Sequence, residues 1–589
     1  MHPSQAVDGH NGITQAQFQA LMAKTDMRRV EDYVAKFGAD SWRDQVRKHG
    51  KSLAKESTTT GITTGLGLNF IDLRAPAYML DPIFAHIRNS TPRWDKVNAG
   101  YGVQPQWKAV VAIDAAQQFP GVSEGNTNSN GQFSSLNFSS PYVTLGTDDF
   151  VTYESISASE GYEDALGDGK MWQLLRFIRQ QERSYLGGAG TTASNGALQI
   201  STTNTPTAAL STLNGPANQS NLPTGSYGFG YAVALNYRAA INPNNTVQAG
   251  ITTQFLRSNA DGSTDVINGG TAIVSAPSAK FGPTVAVSAP TVLFHAVPQA
   301  GAWGYAWFIQ VSASSGVTAN PAAALLSGIT VGQSWFVYNG QTQGTQTAAY
   351  AGSGGYAGFA SDLSTNALDM DGLLTITSNT AYSTGLPTPV VNINSFGTAV
   401  TSNLWNNHGA GLTNNGMPGT VKEFDGILFA IQQAALTGPT TIYLSTDQVG
   451  PFRSAMLVGA TTGAASVYFF PDGGPTADGS GLSMNTLVAR YHNVFGLPGG
   501  MFIDVKQHPY LPAGTVLFDV NRLQETYSNS RLGETRGVFV RRDTYGIEFA
   551  QTSRKYPFGV FSEEVLAVKT PNLLFALTGL GAYGATNPF

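Results

Sequence analysis

The histidines are the first residues to consider for metal binding or acid–base catalysis, because an imidazole can ligate a metal or carry a proton near neutral pH. Zinc-dependent hydrolases commonly place two histidines at HExxH spacing on one helix face. No two histidines of this chain have HxxxH or HExxH spacing, so each is expected at the surface or in a structural hydrogen bond. The eight histidines are His2, His10, His49, His86, His295, His408, His492 and His508.

Two acidic segments have the alternating oxygen side chains that suit a calcium-binding loop. An EF-hand requires a bidentate Glu at the end of the loop, but Gly270 and Thr380 occupy that position here. We therefore expect Asx turns in both segments, with a loop-bound Ca²⁺ as the alternative. The side chains concerned are Asn259, Asp261, Ser263 and Asp265 in the first segment, and Asp369 and Asp371 in the second.

Adjacent carboxylates occur at Asp148 and Asp149 and at Glu563 and Glu564. Neighbouring residues of a strand point to opposite faces of the sheet, so neither pair suits a shared acid–base reaction. The segment 167–170 (GDGK) resembles a phosphate-binding loop but lacks the first glycine of that motif, and the chain contains no GxSxG motif. The sequence therefore predicts no catalytic residue, no metal site and no cofactor.

A row of basic residues near the amino terminus is the one charged pattern with a functional interpretation. Arg43, Arg47, Lys51 and Lys55, the basic row, are four residues apart, so a helix places them on one face. A solvated helix face is the simpler interpretation. The alternative is non-specific contact with a phosphate backbone, which requires only a series of Lys and Arg side chains.

The composition limits the classes of protein to which the chain can belong. Of its 589 residues only 12% are charged, 42% are hydrophobic, and Gly and Pro number 67 and 29. This mixture predicts turn-rich β structure rather than disorder, and the length predicts two to four folded units. A net charge of −5 does not indicate a protein built around nucleic-acid affinity. The absence of cysteine excludes disulfides and thiolate chemistry.

The amino-terminal 30 residues are polar and contain no apolar run of signal-peptide length, so no secretory signal is expected. No apolar run reaches the 18 residues that a transmembrane helix needs. We expect an unprocessed chain made in the cytosol.

The middle of the chain, residues 188–420, differs from both flanks. It contains only eight of the 33 basic and 38 acidic residues. Aromatic and aliphatic residues alternate at period two over 227–237 and again over 303–311, which predicts strands with one buried face. The pattern indicates an inserted all-β region of one or two small sandwiches.

The flanks have ordinary α/β patterning. Residues 106–113 and 134–145 are predicted to pair as a long hairpin around a Gly- and Asn-rich tip. Apolar residues at helical spacing predict a long helix over 171–185, ended by glycines, and a second helix over 423–436. Thr441–Leu444 is predicted to be a strand that leads into another helix.

The order of these elements and several short motifs carry a resemblance to a known family. The motifs are YLGG at 185–188, FDG at 424–426, TIYLS at 441–445, LPAGTVLF at 511–518 and VKTPNLL at 568–574. With the arm, hairpin and long helix in this order, the chain resembles the major capsid proteins of tailed bacteriophages, which have the Hong Kong 97-like fold.

The resemblance implies an α+β fold with an A domain, a P domain with its spine helix, an E-loop and an N-arm, interrupted by an all-β, Ig-like insertion. The expected divisions are an N-terminal helical arm at 1–67, the E-loop and P domain at 68–187, the inserted β-sandwich at 188–420, and the A domain with return strands of the P domain at 421–589.

The function that the resemblance implies is structural rather than enzymatic. Hexamers and pentamers of the chain would form an icosahedral shell around packaged double-stranded DNA, with the basic row as a candidate contact to DNA or the shell interior. A portal protein and scaffold or decoration proteins are the other expected partners. The expected location is the virion capsid, after synthesis in the host cytoplasm and without membrane association.

Some family members crosslink a hairpin lysine to an asparagine of a neighbouring subunit. Lys108 lies on the predicted hairpin, and we expect it to be an ordinary strand residue. Two alternatives to a capsid protein remain: another phage structural protein, such as a tail, sheath or adhesin component, and a carbohydrate-active enzyme with β-sandwich modules.

Overall fold

The chain is described from a computed structural model. The predicted arm at 1–67, with the basic row, lies outside the described residues. The structure describes residues 83–94, 104–113, 124–125, 133–159, 164–190, 200–211, 222–239, 250–258, 263–282, 291–352, 356–378, 403–414, 420–435, 437–457, 490–495, 501–521, 534–551 and 553–581.

The described chain is α+β and contains many more strands than helices. None of the described helices is both long and apolar enough to cross a membrane. The helices are α1 (His86–Ser90), α2 (Tyr153–Ser159), α3 (Ala165–Gly187), α4 (Leu373–Ser378), α5 (Lys422–Ala435) and α6 (Val449–Leu457).

The chain divides into two units. The first comprises the described residues of Met1–Pro105 together with Ser140–Glu182 and Val538–Val565. The second comprises the described residues of Gln106–Ser139, Arg183–Gly537 and Leu566–Phe589.

A four-stranded sheet with the order β1-β18-β19-β4 forms the centre of the first unit. The short strand β1 runs parallel to β18, and β19 runs antiparallel to β4. The strands are β1 (Arg93–Trp94), β4 (Val143–Thr152), β18 (Arg536–Glu548) and β19 (Lys555–Val568).

Helix α3 packs on this sheet through the apolar stripe that the sequence predicts. Met171, Leu174 and Ile178 are all buried. At Gly169 the helix approaches the sheet so closely that a Cβ atom would lie 2.9 Å from Cγ2 of Val151. The GDGK segment therefore forms the first part of a packed helix, where its second glycine allows close contact.

A six-stranded mixed sheet in the second unit has the order β13-β20-β17-β14-β16-β15. The predicted strand at Thr441–Leu444 is confirmed as β14, and the helix predicted over 423–436 is confirmed as α5. β13 joins this sheet although it lies within the range predicted for the insertion. The other strands are β13 (Leu404–Asn406), β15 (Arg490–Asn493), β16 (Met501–Gln507), β17 (Val516–Asp519) and β20 (Phe575–Thr578).

An aromatic cluster joins α5 and α6 to the six-stranded sheet. The ring centroid of Phe424 lies 5.3 Å from that of Phe452, 5.5 Å from Tyr491 and 5.2 Å from Phe518. The hydroxyl of Tyr491 donates a hydrogen bond of 2.6 Å to Asp425, so the polar end of this buried ring is satisfied.

Two three-stranded antiparallel sheets in the second unit pack face to face. The predicted period-two strands are confirmed as the neighbours β6 and β10. Between the sheets, the Trp307 ring stacks on Phe336 at 6.0 Å and lies 6.4 Å from Phe294. One sheet contains β6 (Tyr227–Leu235), β10 (Gly304–Ser312) and β11 (Leu325–Val331), and the other β5 (Thr207–Ser211), β9 (Thr291–His295) and β12 (Trp335–Tyr338).

The expectation that these strands bury only one face is wrong. Tyr231 and Phe308 lie on the opposite face of their sheet and are also buried. A loop covers them: the Phe359 ring packs 5.3 Å from Phe308, and its carbonyl accepts a hydrogen bond from Val274 N. Periodicity does not show such a covering loop, because the loop contributes no regular pattern of its own.

Two hairpins complete the described strands: β2 (Gln106–Ile113) with β3 (Phe133–Ser139), and β7 (Gln254–Ser258) with β8 (Thr264–Asn268). The predicted extension of the first hairpin to residue 145 is wrong. Pro141 has no backbone N–H and interrupts the pairing, and the chain beyond it joins the four-stranded sheet as β4.

Candidate assembly surfaces

The β2–β3 hairpin is a two-stranded sheet with no third strand among the described residues. Its register places Trp107 opposite Phe138, and the two rings stack at 6.0 Å with an angle of 19°. Both side chains are only half-buried. Because a two-stranded hairpin is marginally stable alone in water, this stacked pair is suited to cover by another surface.

Lys108 is the next residue of the same strand. It is exposed and lies directly opposite Asn137, which is also exposed. Opposite residues of an antiparallel pair project from the same face. Lys108 therefore lies in a strand, as predicted, and the expectation that it forms no crosslink stays a prediction.

Exposed apolar side chains gather in the first unit, where β4 and β18 end and β19 begins. Phe150 is 48% exposed, Tyr153 52%, Ile547 38% and Phe549 40%. With Tyr556, whose ring stacks on Tyr153 at 5.5 Å, these residues form the sheet-end patch. Apolar clusters of this kind on a surface commonly mark contacts with another molecule.

Charged groups lie around the sheet-end patch. Arg554 pairs with Glu154 at 3.3 Å, and Lys170 pairs with Glu548 at 2.5 Å. The ammonium group of Lys555 lies 4.0 Å from the centre of the Phe150 ring. An apolar centre with a polar rim is the usual composition of a protein–protein interface.

A second exposed aromatic surface lies at the β15 edge of the six-stranded sheet. Phe502 is 41% exposed, and its ring lies 5.2 Å from that of His492. Phe429, also 41% exposed, packs 5.3 Å from Phe495, and Val494 is 55% exposed. β15 is the last strand of this sheet among the described residues, and an edge strand offers backbone groups for pairing with another chain.

A polar network fixes α3 in the first unit. The Glu182 carboxylate accepts hydrogen bonds of 2.9 and 2.7 Å from the backbone N–H groups of Ile87 and Arg88. Gln181 accepts from Arg88 Nε at 2.6 Å and donates to Glu564 at 2.7 Å. These contacts join α1, α3 and β19 through buried groups, which hold the unit in one arrangement.

Glu563 and Glu564 project to different environments, as the sequence predicts for neighbours in a strand. Glu564 is buried and pairs with Arg93 at 2.6 Å. Glu563 contacts Arg541 and Arg542 at 3.5 and 3.6 Å. Each carboxylate therefore takes part in a separate ion pair.

Asp369, part of the second acidic segment, is a structural centre in the second unit. Its carboxylate accepts hydrogen bonds from Ser184 Oγ at 3.0 Å, Ala189 N at 3.2 Å, Arg238 at 3.1 Å and the hydroxyl of Tyr237. Burial, together with the Asp369 charge, raises the pKa of Tyr237 well above its ordinary value. No cluster of three or more possible metal ligands occurs within the described parts of the chain.

The basic row lies outside the described residues, so its place in the fold stays a prediction. The sheet-end patch and the surface at the β15 edge were not found from the sequence, because an exposed aromatic residue in a strand has the same local pattern as a buried one.

No protein-family model matches the chain, and no curated protein matches it either. The solved structures to which the chain is similar include the following three. The capsid of Myoviridae phage XM1 has 9% identity and a TM-score of 0.34, and the match covers 88% of this chain and all of that one. Mycobacterium phage Patience gives 8% identity, a TM-score of 0.26, and coverage of 86% and 88%.

A virus-like particle from Pyrococcus furiosus matches 26% of this chain and 46% of its own, with 11% identity and a TM-score of 0.16. All three TM-scores lie below 0.5. None of these similarities therefore establishes the fold of this chain.

Proposed function

We propose that this chain is the major capsid protein of a tailed bacteriophage, with the Hong Kong 97-like fold, and that its copies assemble into an icosahedral shell around packaged double-stranded DNA. The observation that carries the proposal is the β2–β3 hairpin, a two-stranded sheet with a half-buried aromatic pair, Trp107 and Phe138.

The half-buried aromatic pair of this two-stranded sheet is explained if the hairpin lies over a neighbouring subunit, which then covers both rings. Burial of an aromatic side chain removes about 150–250 Å² from water, which makes Trp107 and Phe138 suitable anchors. In a closed symmetric shell every subunit both gives and receives this contact, so a modest interaction is repeated around the particle. The hairpin thus corresponds to the proposed E-loop.

The sheet-end patch and the β15 edge supply further surfaces for subunit contacts. Each has exposed aromatic residues, and charged pairs surround the first. In the proposed assembly the first unit is the P domain with α3 as its spine helix. The six-stranded sheet belongs to the A domain, and the two packed three-stranded sheets are the Ig-like insertion.

The rest of the proposal concerns partners and location. Hexamers and pentamers of the chain form the shell, which also holds a portal protein and, where assembly requires them, scaffold or decoration proteins. The basic row contacts DNA phosphates or the shell interior. The protein is made in the host cytoplasm, resides in the virion capsid and acts without catalysis.

Electron microscopy of the purified chain, expressed alone and with a co-expressed scaffold candidate from the same genome, tests this function. Closed particles of even size are the expected result. Rings or tubes support the alternative of a tail or sheath component. A monodisperse small species in both preparations, with hydrolysis of a glycan panel, supports the alternative of a carbohydrate-active enzyme.

A further inference from the structure

A cavity of about 530 Å³ lies in the second unit, outside the proposed assembly surfaces. Its walls come from residues 250–254, from residues 345–347, and from Tyr350 and Tyr356. The volume is within the range of about 300–1,000 Å³ that is typical of small-molecule sites. Thr252 and Thr345 on its walls are exposed, so the cavity is open to solvent.

Two glutamines hold the walls together. The side-chain amide of Gln346 accepts a hydrogen bond from Ile251 N at 2.6 Å and donates one to Ile251 O at 3.0 Å. Gln254 accepts from Ala357 N at 2.7 Å and donates to Asn268 at 2.9 Å. Three separate segments are thereby fixed around the cavity before any ligand is present, which lowers the entropic cost of binding.

A backbone hydrogen bond and a ring contact fix one of the aromatic walls. Phe359 N donates to Tyr350 O at 2.9 Å, and the Tyr350 ring packs 5.6 Å from the buried Phe359 ring. Gly352 turns the chain with φ of +87°, and a Cβ atom there would lie 2.0 Å from Tyr356 O. This tight turn holds Tyr350 and Tyr356 close to the same cavity.

The groups that line the cavity are neutral and hydroxyl-rich. Among the described residues that form its walls there is no Asp, Glu, Lys, Arg or His. The side-chain hydroxyls of Thr252, Thr345 and Tyr356 make no hydrogen bond to any described part of the chain. A hydroxyl both donates and accepts a hydrogen bond, so these groups suit a ligand that also does both.

We infer that this cavity binds a neutral saccharide. Sugar hydroxyls complement the threonine and tyrosine hydroxyls, and the apolar face of a pyranose ring packs against a tyrosine ring. A phosphate or carboxylate ligand would find no cationic side chain on the walls. A peptide would need deeper apolar anchors than Ile251 and the two tyrosine rings provide.

The test uses the full chain and three neutral trisaccharides: maltotriose, cellotriose and tri-N-acetylchitotriose. Titration calorimetry or saturation-transfer NMR is expected to detect at least one, with a dissociation constant on the order of 1 mM, since a few hydrogen bonds and one ring contact carry the affinity. Failure of all three to bind at ten times that concentration overturns the inference.

Two variants locate the binding. Tyr356→Ala removes a ring, and Thr345→Arg places a long charged side chain in the cavity; each is expected to weaken binding at least tenfold. Thr318→Arg is the matched control, because Thr318 is exposed and lies outside the cavity. Thermal melting checks that all three variants fold. Unchanged affinity in Thr345→Arg, or equal binding of an anionic trisaccharide, contradicts the inference.

Saccharide binding here is independent of the proposed capsid function. Electron microscopy of the same variants separates the two: shells that form with either cavity variant leave the capsid proposal intact, whatever the binding result.

Discussion

Arg536 and Asp519 form an ion pair with 2.7 Å between Nη1 and Oδ2, and only 1% of each side chain is exposed. Asp519 ends β17 and Arg536 begins β18, so the pair links the ends of two successive strands of the described chain. Burial raises the pKa of the Asp519 carboxyl, and the nearby guanidinium opposes that shift. Because both side chains are removed from water, each charge is stabilised by the opposite charge beside it.

Replacement of one partner in this pair is expected to destabilise the second unit strongly. Arg536→Met leaves Asp519 as a buried charge without its counterion, at a cost of about 3–5 kcal/mol in the free energy of unfolding. Urea unfolding followed by tryptophan fluorescence measures the loss. The double variant Arg536→Met with Asp519→Asn is expected to recover most of it, because no uncompensated charge remains.

An exposed ion pair provides the matched control. Arg490 and Asp504 are 3.7 Å apart, and about half of each side chain is exposed. Arg490→Met is expected to change the free energy of unfolding by at most about 1 kcal/mol. Equal effects of Arg536→Met and Arg490→Met would show that burial does not decide the contribution of the first pair.

The sequence predicted the strands and helices that have a regular spacing of apolar residues along a short stretch of chain. Alternation at period two located β6 and β10, and apolar spacing of three and four residues located α3 and α5. The end of the first hairpin was misplaced, since residues 134–145 alternate through a proline that separates two strands of different sheets. Local periodicity identifies a strand but not the sheet to which it belongs.

The contacts that fix the units could not be predicted, because they join residues far apart in the chain. Gln181 and Glu564 are 383 positions apart, and Ser184 and Asp369 are 185 apart. Asp369 was assigned to an acidic turn, and its role as an acceptor for Ser184, Tyr237 and Arg238 depends on residues from other segments. Exposed aromatic positions such as Phe150 were missed for the same reason: exposure is a property of the folded chain.

The buried carboxyl of Asp447 is expected to make the free energy of unfolding depend on pH. Burial raises the pKa of its carboxyl above 3.8, and hydrogen bonds from Ser445, Gln448 and Gly514 N oppose the shift. Because the pKa is higher in the folded state than in the unfolded state, its contribution to stability is fully present below pH 3.8. That contribution is lost as the pH rises through the folded-state pKa.

Comparison with Asp447→Asn isolates this contribution from those of other carboxylates. Asparagine keeps an oxygen that can accept the 2.9 Å hydrogen bond from Gly514 N but never carries the buried charge. The free energy of unfolding of the variant, relative to the natural chain, is expected to increase from pH 3.5 to pH 7.5. Urea titrations across this pH range measure the difference in the free energy of unfolding between the two proteins. A difference that does not change with pH contradicts the raised pKa of Asp447.

From the proposed role of the β2–β3 hairpin, we expect that a variant of its aromatic pair folds but does not assemble. Trp107→Ala removes one ring of the half-buried stack with Phe138, and in the proposed shell it removes an anchor on a neighbouring subunit. We expect particle yield to fall by at least tenfold while the main thermal transition of the subunit stays within about 2 °C. Size-exclusion chromatography and electron microscopy measure the yield.

A surface aromatic residue elsewhere gives the control for the hairpin variant. Trp172 on α3 is 45% exposed and does not belong to any of the three assembly surfaces defined above. Trp172→Ala is expected to leave assembly unchanged. If Trp107→Ala also assembles normally, the hairpin does not hold the shell together and the proposal loses its main support.

The basic row predicts an effect on DNA retention. Reversal of charge at all four positions, Arg43→Glu, Arg47→Glu, Lys51→Glu and Lys55→Glu, is expected to leave the subunit folded but to impair assembly or to lower the nuclease-protected DNA per particle several-fold. The physical reason is that phosphate contacts by Lys and Arg release counterions, and glutamates repel the same phosphates.

The charge-preserving variant, with each Arg replaced by Lys and each Lys by Arg, is the control and is expected to retain DNA. The ratio of absorbance at 260 and 280 nm, measured on purified particles after nuclease treatment, reports the DNA content. Normal particles with a normal DNA content in the charge-reversed variant would identify the row as a solvated helix face.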